Sequence, residues 1–473
     1  MTRRRATLVL LALGAFVTTL DNTIVAAGAP SIARDLALDL GALQWVALGY
    51  MLPFAGLLLV AGTLVDRWGR RGTLTAGLLA FGVGAAAGGL AGAVWLLVAA
   101  RVLQGMAAAF LVPGLLSLLR TNLDARGRTL GAAVWTACLA AALALGPALG
   151  GVLSEYLGWG WIFFVNLPFV AAMLLLLPVT VPPGRGGPAL SRESAAPVPP
   201  AAGAMILVTA SVVLLTAALV ESRAGVALPL LAAGAALGAG FVARERRARE
   251  RLVPAALTGN RVFLGSLVVQ VLWGLGISGV FFFTPLLHQE FLGLGPVGAG
   301  LPLALVAVAV MAATPLVPVA VARAGPQRTV AAGLAVVGAG LLALAAVNHL
   351  PAIAPRVPAL VLVGAGSAFT TPLTSHALDV VAERYSGTAS GLLTASREVS
   401  SALGVALIGA VLTAVRAVRL DAGAAPGPAL AGGYTAGLLA AAGLTLTGAV
   451  LAARPVRARP AATSSPRDKG AVP

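Results

Sequence analysis

Apolar residues run through this chain in long blocks of about twenty, separated by short polar stretches. A bilayer's hydrocarbon core takes about 20 helical residues to cross, at a rise of about 1.5 Å each. Blocks of that length recur fourteen times. They predict spans near 7–29, 43–64, 73–93, 95–119, 129–153, 162–182, 201–221, 225–243, 262–287, 296–321, 328–348, 356–378, 387–413 and 431–453. The first block follows TRRR, as a secretory signal would, but it runs too long and leads into thirteen more, so a retained helix is expected. One long polar segment interrupts the pattern inside the chain: PPGRGGPALSRESAAPVPP, at 182–200, reads as a Pro/Gly/Ser-rich linker. The tail from Arg454 onward reads as disordered.

Composition agrees with the blocks. Charged residues make up 10% of the chain and hydrophobic ones 59%, with a mean hydropathy of +0.95. A soluble chain is about a quarter charged, so this is the composition of a membrane protein. The formal charge of +16 and a pI of 11.6 would suit nucleic-acid binding only if the basic residues shared one soluble face. They are instead sorted by side. With the N-terminus inside, 25 of the 32 basic residues fall in inner loops and tails, and five (Arg34, Arg223, Arg356, Arg416, Arg419) fall outside. Basic loops stay cytoplasmic, so both termini are expected in the cytoplasm, with the membrane surface and no nucleic acid as partner. The single cysteine, Cys138, allows neither an intrachain disulfide nor a thiol metal site. His288 and His349 fall in expected outer loops and His376 near an inner end, none with a metal-ligand companion at suitable spacing, so no metal is expected.

The spans also repeat. Shifted by 256 positions, VDRWGRRGTLTAGLLAFGVG (65–84) lies over VARAGPQRTVAAGLAVVGAG (321–340), matching at Arg67/Arg323, Gly69/Gly325 and Thr73/Thr329. GMAAAFLVP (105–113) pairs with GAGSAFTTP (364–372) at an offset of 259. Two near-equal offsets indicate duplicated halves, spans 1–6 and 9–14, with spans 7 and 8 inserted between them.

Five stretches together resemble the major facilitator superfamily of transporters, and within it the fourteen-helix drug/proton antiporters of the EmrB/QacA type. GTLVDRWGRRGTL is similar to the superfamily's loop between helices two and three, placing its pattern on Gly62, Asp66, Arg67, Gly69, Arg70 and Arg71. LVAARVLQG is similar to the helix-four motif, with its intramembrane arginine at Arg101 followed by Gln104 and Gly105. LALGPALGG resembles the helix-five motif of proton-driven exporters, with Gly146, Pro147, Gly150 and Gly151. LDNTIVAAGAPSI resembles the branch's first-helix motif, with its acid at Asp21, and GTASGLLTASREVSSALGVA its helix thirteen. Several positions depart from the pattern. Gly160 stands where the family usually has Arg, and Glu398 where it usually has Gln. In the second half, Ala322 replaces Asp66 and Leu360 falls where the repeat of Arg101 would be.

The residues carry a physical reading of their own. Asp66 in a tight turn can accept hydrogen bonds from free helix N–H groups, while Arg67 and Arg70 can meet carbonyl ends or lipid phosphates, contacts suited to a gate that forms and breaks. The alternative is that these arginines only obey the positive-inside bias. Four charges fall within spans, where each costs several kcal/mol by current scales unless paired or facing a polar cavity: Asp21, Arg101, Arg397 and Glu398. Asp21 and Arg101 sit at similar depths and can pair. The pair is either a permanent structural contact or a proton carrier whose carboxylate takes a proton when its surroundings change. Glu398 and Arg397 are further candidates for proton coupling; Glu398 follows Arg397 directly, and neighbours about 100° apart on a helix make a clamp between them doubtful. Gly146 to Gly151 reads as a close-packing and bending site, and Asn22, Tyr50, Gln104, Gln270, Trp273 and Thr370 as possible lining of a substrate cavity.

The sequence therefore predicts an all-α membrane protein of the major facilitator fold. It has an N-terminal six-helix bundle (1–182), a linker (183–200), inserted helices (201–243), a basic cytoplasmic loop (244–261), a C-terminal six-helix bundle (262–453) and a cytoplasmic tail (454–473). The resemblance implies proton-coupled efflux of hydrophobic small molecules by alternating access, in a bacterial cytoplasmic membrane, by a monomer that needs the proton gradient and no cofactor. A solute uptake symporter is the rival within transport, disfavoured by GPALGG. A membrane sensor or scaffold is the rival from another class. An enzyme would need a catalytic cluster that four intramembrane charges do not supply.

Overall fold

The computed structural model describes residues 2–181, 202–221, 223–248, 251–382 and 385–454. The Pro-rich linker and all of the expected tail beyond Arg454 lie outside them. Among the described residues there are no strands, and fourteen helices are long and apolar enough to cross a membrane. In chain order they are α1 (Arg3–Asp35), α2 (Leu40–Trp68), α3 (Arg70–Gly89), α4 (Val94–Asn122), α5 (Ala125–Tyr156), α6 (Trp161–Thr180) and α7 (Ala202–Val220). There follow α8 (Ala224–Arg247), α9 (Arg261–Glu290), α10 (Pro296–Ala324), α11 (Pro326–Val347), α12 (Ala354–Asp379), α13 (Ser386–Asp421) and α14 (Pro426–Ala453).

Most helices outrun the apolar blocks that announce them, because their polar ends continue the helix into the interface. This corrects three placements. Asp66 and Arg67 are in the last turn of α2, not in a loop, and the connection to α3 is Gly69 alone. The side chains of Gly62, Asp66 and Arg67 lie outside the described residues. His288 belongs to the last turn of α9 and is fully buried, its Nδ1 3.1 Å from the Ala299 carbonyl. Arg356 is also fully buried, and donates to the Asn348, Leu350 and Ala352 carbonyls of the turn before α12. The basic loop after α8 is partly helical, since α8 runs to Arg247, and Glu245 accepts from the Leu252 and Val253 amides.

The repeat is built into the backbone. Gly69 and Gly325 both adopt positive φ, +85° and +81°, a conformation glycine reaches without strain. In each copy the threonine four residues on returns to the glycine carbonyl: Thr73 Oγ1 at 3.0 Å and Thr329 Oγ1 at 2.8 Å. Gly105 of α4 packs on the Tyr50 carbonyl of α2, and Gly364 of α12 packs on the Val306 carbonyl of α10, so a Cβ at either would collide with the backbone. Gly84 and Gly340 each stand where a Cβ would lie 3.0 Å from a carbonyl, of Ala100 and Ala359 respectively.

Within the first six helices α1 packs on α5, and α4 on α2 and α3; within the last six α9 packs on α13 and α14, and α11 on α12 and α14. The two sets meet mainly along two seams, α5 against α10 and α2 against α13, and α1 also packs on α9. α7 lies against both α2 and α13, backed by α8. Described side-chain hydrogen bonds between the sets all lie at the end of the bundle away from the N-terminus, here the far end. Arg34 reaches Gln289 at 3.1 Å, Gln289 reaches the Ala27 carbonyl at 3.4 Å, and the Val297 amide reaches Glu155 at 2.9 Å.

Candidate functional site: a buried ionic cluster in the first bundle

Asp21 and Arg101 meet in the interior, both fully buried. Arg101 Nη1 donates to Asp21 Oδ2 at 2.5 Å. The other carboxylate oxygen, Oδ1, accepts from Gln104 Nε2 and from Asn166 Nδ2, each at 2.8 Å. Arg101 also donates to Gln104 Oε1 at 3.0 Å and, through Nε, to the Val46 carbonyl at 3.2 Å, leaving Nη2 without a partner. The Tyr50 ring lies 4.5 Å from the guanidinium carbon, within cation–π range, and Phe163 lies 6.0 Å away. Tyr50 donates to the Thr18 carbonyl at 3.3 Å. Helices α1, α2, α4 and α6 therefore converge on one ion pair. Desolvating two such charges costs several kcal/mol each, which only close pairing and satisfied lone pairs can offset.

Asn166 escaped the sequence reading. It stands where α6 is interrupted after Val165, two residues before Pro168, whose missing N–H and bulky ring break the helical ladder. The sequence signal is an amide inside an apolar block next to a proline. At that position a side chain can turn inward without continuing a regular helix.

The second carboxylate is different. Glu398 is 10% exposed at its side chain, and Arg397, half-exposed, folds back onto it with Nη2 2.9 Å and Nε 3.2 Å from Oε1. The long guanidinium stem overcomes the 100° offset, correcting the doubt about a clamp between helical neighbours.

The antiporter-like segment of α5 touches both the cluster's support and the other bundle. Gly146 packs on Thr23 and Ile24, just past Asp21, and Gly150 packs on the Ile24 carbonyl and Ala27. On its other face, a Cβ at Gly151 would lie 2.7 Å from the Pro296 carbonyl, and Gly300 presses on the Pro147 carbonyl. Gly160, where the resemblance implies Arg, abuts Gly89: a Cβ there would lie 2.6 Å from its carbonyl. In the α2–α3 segment, Arg70 begins α3 and Arg71 has a buried Nη1 without a partner among the described residues.

Of the cavity candidates, Tyr50 and Gln104 join the cluster. Asn22 is half-buried beside it in sequence. Gln270 is buried on α9, Trp273 is partly buried with an unpartnered Nε1, and Thr370 lies in a break of α12, bonded to the Ser367 carbonyl at 2.8 Å. No described hydrogen bond joins these last three to Asp21.

With two matched sets of helices, a buried ion pair and a closed far end, the arrangement is that of a secondary transporter. Residues 11–405 match the Major Facilitator Superfamily, and the chain belongs to that family. It is 33% identical over 474 residues to the puromycin resistance protein pur8 of Streptomyces alboniger, covering 95% of this chain and 91% of that protein. It is 30% identical to the tetracenomycin C resistance and export protein of Streptomyces glaucescens, covering 86% and 75%. It is 31% identical to the multidrug efflux pump LfrA of Mycolicibacterium smegmatis, covering 89% and 83%. Among solved structures, an auto-inhibited POT family peptide transporter superposes with a TM-score of 0.70 at 19% identity, covering 97% and 99% of the two chains. A D-xylose-proton symporter superposes with a TM-score of 0.67 at 14% identity, covering 95% and 97%. At those identities the likeness is one of fold.

Proposed function

We propose that this protein exports hydrophobic small molecules in exchange for protons by alternating access, as a fourteen-helix antiporter of the EmrB/QacA type. The observation that carries the reading is the Asp21 carboxylate, held inside a membrane-spanning bundle by Arg101, Gln104 and Asn166. A carboxylate so placed is ionised while its partners surround it and binds a proton when they withdraw, so a movement of α4 or α6 relative to α1 exchanges a proton. The named activities of the relatives, puromycin and tetracenomycin C resistance and multidrug efflux, support the export direction and the substrate class.

The moving bodies in this reading are residues 1–182 and 262–453, with 201–243 inserted. The contacts closing the far end match the state open towards the cytoplasm, with both termini on that side of a bacterial inner membrane. Gly62, Asp66, Arg67, Gly69, Arg70 and Arg71 form the gate of the opposite state, and Glu398 with Arg397 tunes substrate choice from the second bundle. The protein acts as a monomer driven by the proton gradient, without a cofactor. Everted membrane vesicles provide the test. Adding a substrate such as puromycin to energised vesicles should release protons from the lumen, and vesicles lacking the protein should not respond. No release beyond that control with any compound the protein exports would reject antiport.

A further inference from the structure

The two seams between the bundles are not equivalent. On α2, the stripe that meets Gly409 of α13 at Gln44 continues by helical period through Leu48, Met51, Ala55 and Leu58, and none is more than 8% exposed. Gln44 closes it at the far end against Gly409, and α7 lies across it, with Gly56 of α2 packed on Thr209. On α5, the stripe that meets Pro296 and Gly300 of α10 at Gly151 and Pro147 is equally tight there and, continued by helical period, becomes exposed towards the N-terminal end. Ala140 is half-buried, and Thr136 and Ala133 are exposed. The facing stripe of α10 behaves alike: Gly300 and Ala307 are buried, Met311 is 44% exposed, and Pro315 and Pro318 are exposed. α10 passes there through a 3-10 turn, Thr314–Leu316, which Pro315 and Pro318 impose by withholding helical N–H donors. Among the described residues, no inserted helix packs against α5 or α10.

We propose that the open part of the α5–α10 seam is a lateral entry for substrate dissolved in the adjacent bilayer leaflet, and that α7, backed by α8, covers the equivalent α2–α13 seam, so that entry is one-sided. This rests on the transport reading above. The opening's six residues, Ala133, Thr136, Ala140, Met311, Pro315 and Pro318, carry no charge. The one hydroxyl bonds within its own helix, Thr136 Oγ1 to the Ala132 carbonyl at 3.0 Å. Such walls suit an apolar or amphiphilic molecule and offer nothing to a strongly hydrated one. The opening also leads to the right depth. Gly146 of α5 lies against Thr23, so Ala140, under two turns lower, stands just below the level of Asp21. A molecule entering there reaches the ionic cluster from the hydrocarbon side.

The test is a comparison of nitroxide labels in proteoliposomes. In a Cys138→Ser background, Ala140→Cys marks the open seam and Ala55→Cys the sealed one. Leu58→Cys repeats the sealed seam in case a label at Ala55 prevents folding. Collision with oxygen, which concentrates in the bilayer, is expected to be several-fold higher at Ala140 than at either sealed position, and collision with a water-soluble nickel chelate low at all three. Equal oxygen access at both seams would overturn the one-sidedness. Nickel access exceeding oxygen access at Ala140 would show that the opening faces water and would overturn the entry route. The labels are read without a gradient or substrate, so this result stands or falls separately from substrate-driven proton release.

Discussion

The first bundle and the second share a backbone and differ in chemistry at its centre. Applying the two repeat offsets to the cluster carries Asp21 to Ile277, Arg101 to Leu360, Gln104 to Val363 and Tyr50 to Val306. All four counterparts are buried, at 3% exposure or less. The glycine contacts that bring α4 onto α2 are kept in α12 on α10, while the charged and amide side chains become aliphatic. Packing, then, does not need the ionic cluster: the second copy makes the same helix crossings with hydrocarbon alone. Well-packed hydrophobic replacements of a buried ion pair are often neutral or stabilising, so a cluster present in one bundle alone fits the proton-carrying role proposed for it.

Five single substitutions and one triple change probe this contrast. The largest effect is expected from Arg101→Leu, which installs the second bundle's side chain against an intact Asp21. Leaving a buried carboxylate without its cation should cost about 3–5 kcal/mol, read as a fall in melting temperature and abundance. The triple change Asp21→Ile, Arg101→Leu, Gln104→Val should recover most of that stability and export nothing; failure to recover would mean that the cluster is structural. Next, Gly105→Leu and Gly364→Leu should each destabilise by at least about 1–3 kcal/mol through overpacking against a carbonyl, and by similar amounts. A large difference between them would argue against equivalent crossings. Asn166→Leu removes one donor from Asp21 Oδ1 and should cost about 1–3 kcal/mol, read as a fall in melting temperature. The smallest effect belongs to Arg34→Gln at the far end. Its ion pair with Glu290, at 3.7 Å with both side chains about half-exposed, should be worth at most about 1 kcal/mol, visible as a slight loss of export rather than of folding.

The fourteen spans were legible because a hydrocarbon slab imposes one length on every crossing helix. The ends were not, because Asp66, Arg67 and His288 are polar residues that extend α2 and α9 past their apolar blocks, and polarity alone does not separate a last helical turn from a loop. Among site residues, Asp21 and Arg101 stood out because a charge inside a span demands a partner. Asn166 did not, since an amide before a proline reads as a turn signal as readily as a ligand. The burial of Arg356 had no sequence signal at all, because its acceptors are the carbonyls of Asn348, Leu350 and Ala352, which any residues would supply. The unequal seams were equally hidden. They depend on where α7 docks and on how the prolines of α10 turn its lower half, not on the composition of either helix.

Whether the bundle with the cluster carries the proton is read from proton release per substrate exported in everted vesicles, compared between Asp21→Asn and Glu398→Gln. Asp21→Asn fixes the uncharged state. It should still bind substrate and allow exchange without a gradient, while substrate-driven proton release and uphill export vanish. Glu398→Gln, outside the cluster, should keep release close to that of the unaltered protein and at most change which substrates are favoured. Full pH-driven export by Asp21→Asn together with its loss in Glu398→Gln would contradict the assignment and move the proton to the second bundle.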